Sequence, residues 1–128
     1  MLSAPAHGWA TITLGEHQLP VSYIQPVPEM LLTAFIRALS TGNAADVTFD
    51  AEGTKWRMEV GHNTRLTLMG RSPETHVIPM SAVMLAREAL ADIRRDLEAW
   101  SRWNPGEPEE VQRATLTRLC RRLEELLA

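Results

Sequence analysis

Residues 47–69 read VTFDAEGTKWRMEVGHNTRLTLM, and this stretch decides the fold. Apolar and polar residues alternate along it in three runs, which are separated by the short turns Glu52-Gly53 and Gly61-His62-Asn63. Such alternation is typical of strands with one buried face, and short turns between successive runs predict an antiparallel meander. The positions expected to face the core are Val47, Phe49, Trp56, Met58, Val60, Leu66 and Leu68.

Two further runs with a period of two precede this stretch. Residues 9–14 and 19–23 flank a turn at Gly15-Glu16, and glycine adopts the positive φ that a tight hairpin turn requires. Pro20 has no amide donor, so the second run is expected at an edge or a bulge. After the meander, residues 76–80 are expected to add a short extended piece that a proline interrupts.

Helical spacing marks three more segments. The first helix is predicted to begin at Pro28 and to end at Gly42, and a long second helix is predicted to begin at Ser81 and to end at Asn104-Pro105-Gly106. A third helix closes the chain. The apolar stripes of the three are Leu31, Leu32, Phe35, Ile36 and Leu39; then Val83, Ala86, Leu90, Ile93, Leu97 and Trp100; then Leu116, Leu119, Cys120, Leu123, Leu126 and Leu127.

The element order β-β-α-β-β-β-α-α predicts the α+β class, with a mostly antiparallel sheet of about five strands and two long C-terminal helices. Residues 1–128 are interpreted as a single domain. Within it we expect a flexible tail over residues 1–8, a β-rich part with one helix over residues 9–80, and a helical pair over residues 81–128.

Composition excludes several classes of function. The 13 basic residues face 16 acidic ones, so a strongly basic nucleic-acid-binding domain is not expected. A single cysteine, Cys120, excludes an intramolecular disulfide framework. No apolar run is long enough to cross a membrane and no signal-peptide pattern occurs, so we expect a cytoplasmic protein without membrane contact.

The sequence contains no recognisable catalytic, cofactor-binding or metal-binding motif. His7, His17, His62 and His76 lack the spacing of paired metal ligands. Cys120 lies among leucines, where desolvation raises a thiol pKa and makes it unreactive. The glycines fall singly at turns rather than in a phosphate-binding loop. We therefore predict neither an enzyme nor a cofactor.

Signals for a binding partner are stronger. Trp100 and Trp103 flank Arg102 beside the predicted helix end, and tryptophan and arginine are enriched at interface hot spots. An alternative is that Trp100 completes the apolar seam and that Trp103 covers the helix corner. A charged outer face on the central strands and an arginine cluster on the last helix, Arg118, Arg121 and Arg122, are weaker candidates.

Residues 9–68 resemble small uncharacterised bacterial proteins of the immunity type that are encoded beside polymorphic toxins. The matching pieces are Ser22-Tyr23-Ile24, the helix that ends at Ser40, the segment from Val47 to Gly53, and Lys55-Trp56-Arg57. The resemblance implies a small protein that binds another protein. It assigns no functional residue.

The leading hypothesis is a non-enzymatic protein-binding domain, either an immunity-type inhibitor or an accessory subunit. The alternative is a small-molecule-binding or enzymatic domain with a pocket between the sheet and the helices, lined by Tyr23 and Trp56. A third hypothesis is a homodimer that forms through the seam from Val83 to Trp100.

Overall fold

The computed structural model describes residues 1–128, and the central stretch forms three successive antiparallel strands followed by a fourth. In chain order the strands are β1 (Trp9–Leu14), β2 (His17–Ser22), β3 (Ala45–Ala51), β4 (Thr54–Val60), β5 (Thr64–Met69) and β6 (Glu74–Ile78), and the helices are α1 (Val27–Thr41), α2 (Ala82–Arg95), α3 (Leu97–Trp100) and α4 (Glu109–Leu127).

The larger sheet has the order β3-β4-β5-β6 with every pair antiparallel. Phe49 lies opposite Trp56 on its inner face, and the two ring centroids are 4.8 Å apart. The α+β prediction is confirmed, but there are six strands in two sheets rather than about five in one. The extra strand is β6, which is complete because Pro79 follows its last residue and therefore removes no donor from the ladder.

The predicted hairpin, β1 and β2, forms a two-stranded sheet of its own that lies across the larger sheet. The Trp56 indole N–H of β4 donates to the Pro20 carbonyl over 2.9 Å. At the hairpin turn a Cβ on Gly15 would lie 3.6 Å from Ile78 of β6, and at the other end the Ser22 hydroxyl donates to Glu52 beyond β3. The hairpin thus spans the sheet from β6 to β3.

Residues 1–8, expected to be a flexible tail, instead pack along the free edge of β1. The Ser3 amide donates to the Thr11 carbonyl over 3.0 Å, and the Thr13 amide donates to the Met1 carbonyl over 2.7 Å. Leu2 is only 2% exposed, and its amide donates to Asp92 of α2. The segment is ordered because it pairs with the free edge of β1 and bonds Asp92 of α2. The sequence of residues 1–8 alone indicates neither contact.

Helix α1 forms as its apolar stripe predicts, with Leu31, Leu32 and Phe35 fully buried. Pro28 lies in its first turn. Gly42 ends the helix at φ 73°, where its amide donates to the Ala38 carbonyl. The helix packs on β3 and β4 and on the helices α2 and α4.

The long helix predicted from Ser81 is interrupted. Ser81 caps its start as expected, since its hydroxyl accepts from the Met84 amide over 3.2 Å. At Asp96, however, the backbone departs from helical geometry (φ −113°, ψ 29°), and the short helix α3 follows. No proline or glycine marks the break in the sequence, which is why the periodicity carried the prediction past it.

The seam proposed for a homodimer is occupied within the chain itself. Ala86, Ile93 and Trp100 are fully buried and Leu90 is 8% exposed. Within α2, Val83 is the one seam residue that is exposed. The four buried side chains, without Val83, join one buried cluster of 31 residues that extends from Leu2 to Leu123. A dimer through this seam would require the core to open.

The packing of the N-terminal segment leads to a stability prediction. Leu2→Ala is expected to lower the free energy of unfolding by about 2–5 kcal/mol, because it removes a buried leucine side chain. Ala4→Ser, at an exposed neighbouring position, should change it by less than about 0.5 kcal/mol. Urea unfolding of both variants measures the difference. Equal stabilities would mean that residues 1–8 are a free tail after all.

Candidate functional site

The three residues proposed for partner binding differ in their exposure to solvent. Trp100 is fully buried and Trp103 is 5% exposed, and their ring centroids lie 4.9 Å apart. Only Arg102 reaches the surface, where its guanidinium lies 3.4 Å from both Glu98 and Glu109. The burial of Trp100 and Trp103 agrees with the alternative that Trp100 completes the apolar seam and that Trp103 covers the helix corner, and of the three candidates only Arg102 is accessible to a partner.

Trp103 is held by a specific hydrogen bond, whereas Trp100 is not. The Trp103 indole N–H donates to the Gln25 carbonyl over 2.8 Å. The Trp100 indole N–H is the one buried side-chain polar atom without a hydrogen-bond partner in the chain. The exposed helix corner between α3 and α4 is thus anchored to the loop that follows the hairpin.

Gln112 shapes the same corner and carries no signal in the sequence. It is buried, its amide oxygen accepts from the Asn104 amide over 3.0 Å, and its amide nitrogen donates to the carbonyls of Asn104 and Glu107 over 2.8 Å each. No helix continues through Asn104-Pro105-Gly106, but the predicted helix end there is too late, because the last helical residue before this turn is Trp100 of α3. Gln112, in the first turn of the next helix, holds the turn through these three hydrogen bonds.

Large apolar side chains are exposed at the other side of this junction, where the hairpin ends. Trp9 is 42% exposed, Tyr23 43% and Ile24 52%. Their backbones are tied together, since Trp9 lies opposite Ser22 in the ladder and the Tyr23 amide donates to the Gly8 carbonyl over 2.9 Å. We call Trp9, Tyr23, Ile24 and Arg102 the hairpin-end surface.

A groove lies beside Arg102, and Gly8, which packs against Tyr23, is part of its lining. It has a volume of about 210 Å³ and lies between the N-terminal turn and the helix corner. Its lining consists of Pro5, Ala6, His7, Gly8, Ala99, Arg102 and Trp103. The buried indole of Trp103 therefore closes the groove on one side while Arg102 stays accessible.

Gly8 makes the position of Tyr23 compatible with this turn. Gly8 has φ 79°, and a Cβ built on it would lie 2.8 Å from Cδ1 of Tyr23. Any other residue would displace the tyrosine ring or the turn. The preceding residue, His7, also has a positive φ of 54°. The turn is thus a constrained element of the surface and not part of a loose tail.

Glu52 lies at the margin of the hairpin-end surface, in the turn between β3 and β4. Its carboxylate accepts from the Ser22 hydroxyl over 2.8 Å, and Ser22 is fully buried. The same hydroxyl lies 3.4 Å from the Ile24 amide. One side-chain hydroxyl therefore fixes the carboxylate beside the exposed segment Tyr23-Ile24.

The two aromatic residues expected to line the pocket of the alternative hypothesis, Tyr23 and Trp56, lie apart. Trp56 is fully buried with its indole N–H bonded to Pro20, while Tyr23 is exposed on the surface, so the two do not line a shared cavity. The largest groove, about 380 Å³, lies instead between α2 and α4. Arg87 and Arg94 lie across it, bonded to the Leu127 carbonyl and to Glu124.

The histidines, Cys120 and the arginine cluster on α4 do not form a common site. His17 and His76 are neighbours, with ring centroids 4.6 Å apart, and no group of three or more histidine, cysteine or acidic side chains is placed to hold a metal ion. Cys120 is buried as expected, and desolvation raises the pKa of its thiol. The arginine cluster Arg118, Arg121 and Arg122 is exposed on α4, where Arg122 lies 3.4 Å from Glu125.

Comparisons with known proteins add no relative. No protein-family model, curated protein sequence or solved structure matches the chain. None of the helices has both the length and the apolar character that a membrane crossing requires.

The two buried tryptophans form a matched pair for a stability test. Trp103→Phe and Trp100→Phe remove the same atoms, but only the first breaks a hydrogen bond, the one to the Gln25 carbonyl, which also accepts from the Val27 amide. We expect Trp103→Phe to lower the free energy of unfolding by about 0.5–1.5 kcal/mol more than Trp100→Phe, the net contribution of one hydrogen bond. Urea unfolding measures both, and an equal or larger effect of Trp100→Phe would contradict the anchoring role of Trp103.

Glu29, in the first turn of α1, leads to a prediction about pH. Burial raises the pKa of its carboxyl, Glu107 raises it further, and Arg118 opposes them. Because the folded state holds the proton more tightly, protonation of Glu29 contributes stability at acidic pH, and this contribution is lost as the pH rises through the folded-state pKa. Glu29→Gln should therefore stabilise the protein near neutral pH and have little effect well below the ordinary glutamate pKa of about 4.3.

Chemical denaturation of wild type and Glu29→Gln at both pH values measures this difference. Glu16→Gln, at an exposed position in the hairpin turn, is the control for the loss of one negative charge. A stabilisation by Glu29→Gln that is the same at both pH values, or that Glu16→Gln reproduces, would refute the burial argument.

Proposed function

We propose that the chain is a non-enzymatic protein-binding domain that contacts its partner through the hairpin-end surface. The observation that carries the proposal is that Trp9, Tyr23 and Ile24, each more than 40% exposed, lie at one end of the hairpin, next to the turn over residues 5–8 that lines a groove with Arg102. Tryptophan, tyrosine and arginine are the residue types that dominate the energy of protein interfaces.

The surroundings of these side chains suit an interface. Tyr23 rests on Gly8, and the backbone on both sides of Trp9 is hydrogen bonded. A surface whose backbone is already fixed loses little conformational freedom on association, so more of the contact energy contributes to affinity. The proposal keeps Arg102 from the original prediction and replaces Trp100 and Trp103 with Trp9, Tyr23 and Ile24 as the contacting groups.

Two roles fit such a domain, and both come from the resemblance to bacterial immunity-type proteins: an inhibitor of a toxin, or an accessory subunit of a larger assembly. In the first role the partner gene lies beside this one, so the neighbouring genes distinguish the two. We propose a bacterial cytoplasmic setting for either role, in line with the expectation from the sequence.

Affinity capture with surface variants tests the proposal. Tyr23→Ser and Ile24→Ser should each weaken partner recovery by about tenfold or more, as expected for hot-spot residues. Val111→Ser is the matched control, because Val111 is 46% exposed on α4 and lies outside the hairpin-end surface. Recovery is quantified by mass spectrometry, and thermal unfolding verifies that each variant is folded.

A partner that wild type and Val111→Ser recover equally, and that Tyr23→Ser and Ile24→Ser lose, supports the proposed surface. Equal recovery by all four proteins would assign the interface to another face. If wild type retains no partner above the level of a tag-only column, the protein-binding function itself is refuted.

A further inference from the structure

The Glu52 carboxylate at the margin of the hairpin-end surface indicates which kind of group this surface would bind. We propose that this surface receives an arginine side chain of the partner protein, with its guanidinium on the Glu52 carboxylate and its flat face against the Trp9 indole. The inference rests on the proposed protein-binding function and adds to it a specific recognition contact.

Glu52 has a backbone conformation that residues with a side chain rarely adopt. Glu52 has φ 52° and Gly53 has φ 113°, so both residues of the two-residue turn between β3 and β4 lie in the positive-φ region. Asparagine or glycine is the usual first residue of such a turn, and a left-handed conformation costs other residues about 1–2 kcal/mol. Strained residues of this kind cluster at binding sites.

The Glu52 carboxylate is oriented but has no cation. One of its oxygens accepts from the buried Ser22 hydroxyl, which fixes the direction of the side chain. Glu52 takes part in none of the ten ion pairs of the chain, whereas Glu98 and Glu109 are both engaged by Arg102. An exposed, oriented carboxylate without a partner is complementary to a cationic group.

Trp9 lies on the same side of the hairpin as this carboxylate. Trp9 and Ser22 are directly opposite in the antiparallel ladder, so their side chains project from the same face with Cβ atoms about 4.5–5.5 Å apart. Because Ser22 also bonds Glu52, the Ser22 side chain neighbours both Trp9 and the carboxylate, and one arginine side chain bound here would reach both groups. A cation stacked on an indole while it pairs with a carboxylate gains from both contacts.

Arginine fits this arrangement better than lysine. Its planar guanidinium presents a face to an aromatic ring and, at the same time, an edge of N–H donors to a carboxylate. The lysine ammonium is a compact and strongly hydrated charge that gains less from stacking. Ile24, 52% exposed, provides apolar surface next to this position for the side chain that neighbours the arginine.

Small probes test the contact without knowledge of the partner. N-acetyl-arginine amide is titrated into ¹⁵N-labelled protein, and N-acetyl-citrulline amide, a neutral molecule of the same shape, is the control ligand. The reporter is the indole N–H signal of Trp9, which is assigned from its loss in Trp9→Phe. Trp9 is the only one of the four tryptophans that is substantially exposed, so the other three indole signals serve as internal references.

We expect the arginine derivative to shift the Trp9 signal in a saturable way and the citrulline derivative to leave it unchanged. Glu52→Gln should weaken the apparent affinity about two- to fivefold, the range of an exposed charged pair. Glu16→Gln, which removes one negative charge at the opposite end of the hairpin, should leave it unchanged. Equal shifts with both ligands, no shift, or undiminished binding in Glu52→Gln would each overturn the inference.

The captured partner separates this inference from the proposed function. If Ile24→Ser loses the partner while Glu52→Gln retains it fully, the interface stands and the arginine contact is wrong. If both variants retain it, the interface and the arginine contact fail together. Loss of the partner in both variants, with retention in Glu16→Gln, supports the two proposals.

Discussion

Gln25 provides the connection on which the rest of the structure depends. Its side-chain oxygen accepts from the Asp50 amide at the edge of β3 over 2.7 Å, and its backbone carbonyl accepts from the Trp103 indole over 2.8 Å. One residue between the hairpin and α1 therefore joins the larger sheet to the helix corner. Loss of the side-chain bond would remove the acceptor of the partly buried Asp50 amide, which is more costly than the bond itself is stabilising. The Gln25 carbonyl also accepts from the Val27 amide, so it would keep one donor if the Trp103 bond were lost.

The same junction determines which aromatic side chains reach solvent. Trp103 turns inward to Gln25 and stacks near Trp100, and the break at Asp96 lets α3 bring both rings under the hairpin loop. Tyr23 and Ile24, which precede Gln25 in the same loop, are exposed. Tyr23 packs on a turn that only a glycine at position 8 permits. The exposed surface thus follows from the way the core is closed.

Much of the fold follows from local pattern. Alternation over residues 47–69 predicted β3, β4 and β5, the stripe around Phe35 predicted α1, and Gly15 marked the hairpin. Of the three candidate site residues that the sequence singled out, Arg102 is exposed, whereas the two tryptophans beside it are core residues. Trp9 and Tyr23 were assigned to strands by their period of two, and that period does not reveal that both side chains stay exposed at the hairpin end.

The sequence by itself determined the type and approximate limits of most elements, because alternation, helical spacing and turn residues act over a few neighbouring positions. Only the tertiary structure decided that residues 1–8 complete a sheet edge, that the seam from Val83 to Trp100 is used within the chain, and that Glu52 meets Ser22. These outcomes depend on which amphipathic faces cover one another. That pairing is a choice among distant segments, and the free energy of the whole core settles it rather than any local preference.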